Sequence, residues 1–155
     1  MEVFNIDFLI RIGAALALGF ILGLERELTN KYAGLRTHIL VSLGACAFTI
    51  ISIYGFPSYA TGDNVLVDQA TGIRDTGRVA AQVVSGIGFI GAGTIIVTKQ
   101  QRVKGLTTAA GLWSSAGVGL ALGIGFYEAA LVGGIAIFII MTDHRSVPPN
   151  LRYIL

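Results

Sequence analysis

Residues 78–98 read RVAAQVVSGIGFIGAGTIIVT, an apolar run with one formal charge, Arg78, at its edge and one amide, Gln82, inside it. A helix needs about 20 predominantly apolar residues to cross a bilayer, and this run is long enough. Its glycines, Gly86, Gly88, Gly91 and Gly93, weaken a helix in water. In lipid the same small residues let helix backbones approach closely. The chain is therefore constrained first by a membrane and only then by any chemistry.

Composition agrees. Of 155 residues, 54% are hydrophobic and 13% charged, with a mean hydropathy of +0.74. A soluble domain carries about 25% charged residues, so several spanning helices fit better than one buried core. A net charge of +2 with no basic run excludes a nucleic-acid partner. The single cysteine, Cys46, lies in an apolar stretch and reads as a small core hydrophobe. Glu2 and Asp7 stand where a secretory leader would be basic, so no signal peptide is expected.

Five apolar segments are legible, at about 8–24, 37–56, 79–98, 107–126 and 129–142, the last short for a full span. The expected fold is an all-α, polytopic membrane helix bundle of about five transmembrane helices, a single domain over 1–155 with a short cytoplasmic tail, 143–155. Arg26, Lys31 and Arg36 follow the first segment, Lys99, Arg102 and Lys104 the third, and Arg145 and Arg152 the fifth. Between the second and third, Arg74 and Arg78 are offset by Asp63, Asp68 and Asp75, and between the fourth and fifth stands only Glu128. Positive charge stays cytoplasmic, so the N-terminus faces out and the C-terminus in. Arg11 is expected to snorkel to the outer interface beside Asp7, at i−4.

Small residues four apart recur: Gly19 with Gly23, Gly88 with Ala92, Gly119 with Gly123, Ala129 with Gly133. Such faces pack helices within a bundle. Their surplus also suggests a homo-oligomer, most simply a two-fold dimer. The string Gly86-Ile87-Gly88-Phe89-Ile90-Gly91 matches a dinucleotide fingerprint but lies mid-span, where a pyrophosphate would meet hydrocarbon, and is rejected. No nucleophile and base are paired by spacing, so neither an enzyme nor a cofactor is expected.

Two polar clusters stand out. Glu25, Arg26 and Glu27 close the first segment, and Arg36, Thr37 and His38 open the second. A charge at bilayer depth costs about 3 kcal/mol on insertion scales, so it is paired or faces water. Glu25 and Arg36 make a natural pair across the short turn, a solvated boundary bridge of little worth or a functional one. Asp75, Arg78 and Gln82 form the second cluster, on one helix face if a helix begins near Asp75. Asp75 then also serves the helix dipole. Oxygen ligands such as these would suit magnesium, but they are scattered, and no metal site is defined. Thr107 or Thr108 is expected to cap the fourth helix and Trp113 to pack inside the bundle.

These stretches carry a resemblance. Gly23-Leu24-Glu25-Arg26-Glu27, Ala33-Gly34-Leu35-Arg36-Thr37-His38, Leu40-Val41-Ser42-Leu43-Gly44-Ala45, the run from Ala80 to Gly93, and Gly105-Leu106-Thr107-Thr108-Ala109-Ala110 with Leu112-Trp113 are similar to the MgtC/SapB family of bacterial inner-membrane proteins. The family's acid-Pro-x-Arg opening of the third span stands here as Asp75-Thr76-Gly77-Arg78, without the proline. Many members carry a further cytoplasmic ACT-like domain, which these residues do not contain. The resemblance implies a multi-pass protein of the bacterial plasma membrane, linked to growth at low magnesium. It implies a modulator of other membrane machines, such as the ATP synthase or P-type transporters. The alternative is a transporter or channel for magnesium or another small solute. Mid-span residues are mostly glycine, alanine, serine and large apolar side chains, which favours the modulator. The expected partners are the lipid bilayer, a second copy and another membrane protein.

Overall fold

The computed structural model describes residues 6–55, 77–99 and 102–142. Within them the chain forms α1 (Ile6–Leu28), α2 (Leu35–Tyr54), α3 (Arg78–Gly93), β1 (Ile96–Val97), β2 (Val103–Lys104), α4 (Leu106–Ile124) and α5 (Tyr127–Thr142). This is an all-α membrane helix bundle with one small ribbon. Helices α1, α2 and α4 are long and apolar enough to cross a bilayer, while α3 and α5 are apolar but only 16 residues each.

Local chemistry explains the boundaries. At the end of α1, Asn30 adopts a left-handed conformation (φ 53). The amides of Asn30 and Lys31 turn back to the carbonyls of Glu27 and Arg26, a Schellman closure. Helix α2 starts five residues later, where the Leu35 amide donates to the Glu27 carboxylate at 3.0 Å. Gly34 permits this, because a Cβ there would collide with that carboxylate.

The third apolar segment does not stay helical to Thr98. Glycines weaken its last turn, and Thr94-Ile95-Ile96-Val97-Thr98 is a β-branched run that favours extended backbone. The Thr94 hydroxyl closes α3 on the Gly91 carbonyl at 2.8 Å. The chain then forms an antiparallel ribbon pairing Ile96 with Lys104 and Val97 with Val103. Neither Thr107 nor Thr108 caps α4. Its N-cap is Gly105 at φ 92, without a side-chain cap, and Thr108 faces inward instead.

Glycine contacts give the helix directions. Gly19 and Gly23 of α1 lie against Ile39 and Leu35 of α2, so these helices are antiparallel. Gly119 and Gly123 of α4 lie against Ser42 and Thr49 of α2, so these run parallel. Gly91 of α3 meets Ala109 near the start of α4, and Met141 at the end of α5 meets Gly111. The five helices therefore alternate in direction. The α1–α2 turn and the ribbon share one end, which gathers Lys31, Arg36, Lys99, Arg102 and Lys104. Helix α4 touches the other four helices. The buried core joins Ala15, Cys46, Val118, Leu122 and Ala130 in one cluster and Ala33, Ala45, Ile87, Leu112 and Ala116 in another. Trp113, expected inside, is 54% exposed and turned outward, because the inward face of α4 is taken by Thr108, Gly111, Leu112, Ser115 and Gly119.

Candidate functional site

The most polar part of the interior lies at the basic end, between α1, α2 and α4. Arg26 is 1% exposed and His38 fully buried. Arg26 faces inward in the last turn of α1, and His38 lies one turn into α2, where Gly23 lets α1 press against the His38 Cβ. From α4, Thr108 accepts a hydrogen bond from Arg26 Nη2 at 3.1 Å. The Ser115 hydroxyl lies 2.7 Å from His38 Nδ1. Glu25 is the ion partner of Arg26, at 3.8 Å.

This array has more donors than it satisfies. Among the described residues, Arg26 Nε and Nη1, His38 Nε2, Ser42 Oγ and Glu25 Oε2 are buried without a hydrogen-bond partner. Such groups are costly in a low-dielectric interior unless water or another polar group reaches them. Glu25 balances the Arg26 charge, so the array carries little net charge.

The anticipated clusters are divided by the fold. Glu25, Arg26 and His38 lie at the same end of the bundle, where Arg26 meets Thr108 and His38 meets Ser115. Arg36 does not pair with Glu25. It stands exposed on the first turn of α2, because the helical rotation that turns His38 inward turns Arg36 out. Arg36 and Thr37 instead line a groove between α2 and α3, with Gln82 near its far end. Arg78 is exposed at the first position of α3, and Asp75 lies outside the described residues. Gly119 and Gly123 are packing residues against α2, and Gly91 packs on Ala109. Among the described residues, nothing lies within 4 Å of where a Cβ on Gly86, Gly88 or Gly93 would stand, so these glycines make no close helix contact there.

The opposite end holds a second set. Arg11 does not snorkel outward. It is 8% exposed, paired with Asp7, and donates from Nη1 to the Gly123 carbonyl at 2.7 Å. The Tyr127 hydroxyl donates to Asp7 Oδ1 at 3.0 Å. Gly125, at φ 97, closes α4, and the guanidinium takes a carbonyl left free in that last turn. Phe8 and Tyr54 place their rings 6.0 and 5.7 Å from this guanidinium.

Ser42 and Ser115 were not anticipated. A signal existed: His38, Ser42, Thr49 and Ser52 repeat on one face of α2, and all four are buried. Among the described residues no three His, Cys, Asp or Glu side chains gather as metal ligands.

A multi-helix membrane protein with an inward-facing arginine at each end is the class these features define. The sequence pattern of the MgtC family matches residues 12–148, and the chain belongs to that family. It is 44% identical over 136 residues to YhiD of Escherichia coli (strain K12), covering 87% of this chain and 59% of that protein. It is 42% identical to SapB of Bacillus subtilis over 136 residues, covering 86% and 54%. It is 40% identical to MgtC of Salmonella typhimurium over 130 residues, covering 84% and 49%. The chain thus spans about half to three fifths of the length of these relatives. No solved structure matches it.

Proposed function

We propose that this chain is a membrane component of magnesium homeostasis in the bacterial plasma membrane that acts on another membrane protein and does not itself conduct the ion. The link to magnesium comes from the relatives, since the name of the Escherichia coli protein proposes a magnesium transporter. The observation that carries the modulator reading is the placement of Arg11 and Arg26. Both guanidiniums are buried, one toward each end of α1, and both bond to α4. Each guanidinium is balanced by a neighbouring carboxylate and tied to α4, so these charged groups support a closed α1–α4 seam rather than a path for a dication. Asp7 and Glu25 stand beside these guanidiniums. Positive residues gathered at one end support an orientation with that end cytoplasmic and the N-terminus outside. In this reading the chain performs no catalysis. It assembles as a two-fold pair through the exposed small face of α3.

One observation favours conduction. His38, Ser42, Thr49 and Ser52 form a buried polar line along α2. Flux into proteoliposomes containing only this protein separates the two readings. Magnesium entry no faster than into empty vesicles is the expected result. Uptake that is saturable and abolished by His38→Ala or Ser42→Ala overturns the modulator.

A further inference from the structure

The groove between α2 and α3 is not used by the reading above. It has a volume of about 750 Å³. Its walls are Leu40, Val41 and Phe48 of α2 with Val83, Ile87 and Ile90 of α3. Gly44 and Gly86 also line it, and a Cβ built on either meets nothing within 4 Å. Open space lies beside both glycines, so neither wall closes the groove along its middle.

Its two ends differ. The lining residues of α2 run from Arg36 to Phe48, a rise of roughly 18 Å at 1.5 Å per residue. That distance is close to the depth of one leaflet's hydrocarbon, about 15 Å. Because α3 ends where α2 begins, Ile90 lies level with Arg36, and Gln82 is near the opposite end. Arg36 is exposed at the basic end, and among the described residues no carboxylate pairs with it. Thr37 places a hydroxyl beside it on the same rim. A planar guanidinium and a hydroxyl at a membrane boundary, above an apolar channel of leaflet depth, are complementary to a phosphate carrying an acyl chain.

We propose that the α2–α3 groove is a binding site for an anionic phospholipid, with one acyl chain along Gly44 and Gly86 and the phosphate held by Arg36 and Thr37. Arg36 sets the headgroup preference, and the two glycines set room for the chain. The face of α3 carrying Ser85, Gly88 and Ala92 does not line the groove and stays available to other contacts.

Native mass spectrometry of the full chain, exchanged into equal amounts of phosphatidylglycerol and phosphatidylcholine, tests this. Retained phosphatidylglycerol should exceed phosphatidylcholine by about fivefold, the weight of one basic residue at an anionic surface. Arg36→Gln should bring the ratio near unity. Gly86→Leu should lower retention of both lipids by filling the channel. Lys31→Gln, which removes a charge at the same end outside the groove, should leave the ratio unchanged. Equal retention of the two lipids by the native chain overturns the proposal. So does an equal loss in Lys31→Gln and Arg36→Gln, which reduces the effect to general surface charge. Gly86→Leu that converts a dimer to a monomer without changing lipid retention also overturns it, and assigns the groove to a second copy. Should either groove variant fail to fold, Gly44→Leu fills the channel from the other wall and should lower retention of both lipids, and Arg36→Met removes the charge and should bring the ratio near unity; no change in either overturns the proposal.

Discussion

Arg26 near the close of α1 donates to the hydroxyl of Thr108 near the start of α4, at 3.1 Å and across 82 positions of sequence. Both side chains are buried, so this bond joins the first and fourth helices where the bundle is most polar. Thr108→Val keeps the shape and removes the acceptor. The variant should lose about 1–2 kcal/mol of stability, since a buried charged donor is left with less compensation. Thermal unfolding in mild detergent measures it, and the Arg26→Met/Thr108→Val pair completes the cycle. If the two single changes add without coupling, the bond contributes nothing.

Gly119 and Gly88 predict opposite responses to the same substitution. A Cβ on Gly119 would collide with the Ser42 carbonyl and press on Ala45, both on α2. A Cβ on Gly88 meets open space. Gly119→Ala should therefore cost about 1–3 kcal/mol through overpacking. Gly88→Ala should leave the monomer's stability within about 0.5 kcal/mol. The midpoint of thermal aggregation, compared for the two variants, reads the difference. Equal effects would mean that α2 and α4 are not in contact as described.

The two-fold pair is tested on α3. Gly88→Leu fills the exposed small face at a position where a Cβ meets no other described residue within 4 Å. Cross-linking and native mass in mild detergent should show a dimer for the native chain and a monomer for the variant. A native chain that is monomeric throughout removes the dimer from the proposed function.

Orientation is tested by labelling single cysteines in a Cys46→Ala background. Asn64→Cys should react with an impermeant maleimide on intact cells, and Lys99→Cys only after the membrane is opened. Labelling of both from one side contradicts the alternating bundle.

Asp75 is tested by function. Asp75→Asn removes its charge and keeps its size. Normal expression with reduced growth at low magnesium is the outcome expected of a functional acid. Full growth reduces Asp75 to a helix-capping residue.

Helix number and membrane character follow from local sequence, because hydropathy and glycine content act on each segment separately. The crowding of basic residues at one end follows as well, since alternation of Lys and Arg between loops needs only the order of the spans. The same local information includes the β-branched run after Gly93 that ends α3 early, although apolarity alone carries that segment on to Thr98. Tertiary structure decided the rest. Arg26 and Arg36 are the same residue type at the same boundary, yet one is buried against α4 and the other faces the groove. Gly88 and Gly119 look alike in sequence, but only Gly119 has a neighbouring helix against it. Arg11 reads as a snorkelling residue until the last turn of α4 presents the Gly123 carbonyl to it. Ser42 and Ser115 become part of a site only because α2 and α4 run parallel and in contact. Hydropathy determines whether a segment enters the membrane. Which face of it meets another helix depends on contacts between residues many tens of positions apart, and those arise only when the bundle closes.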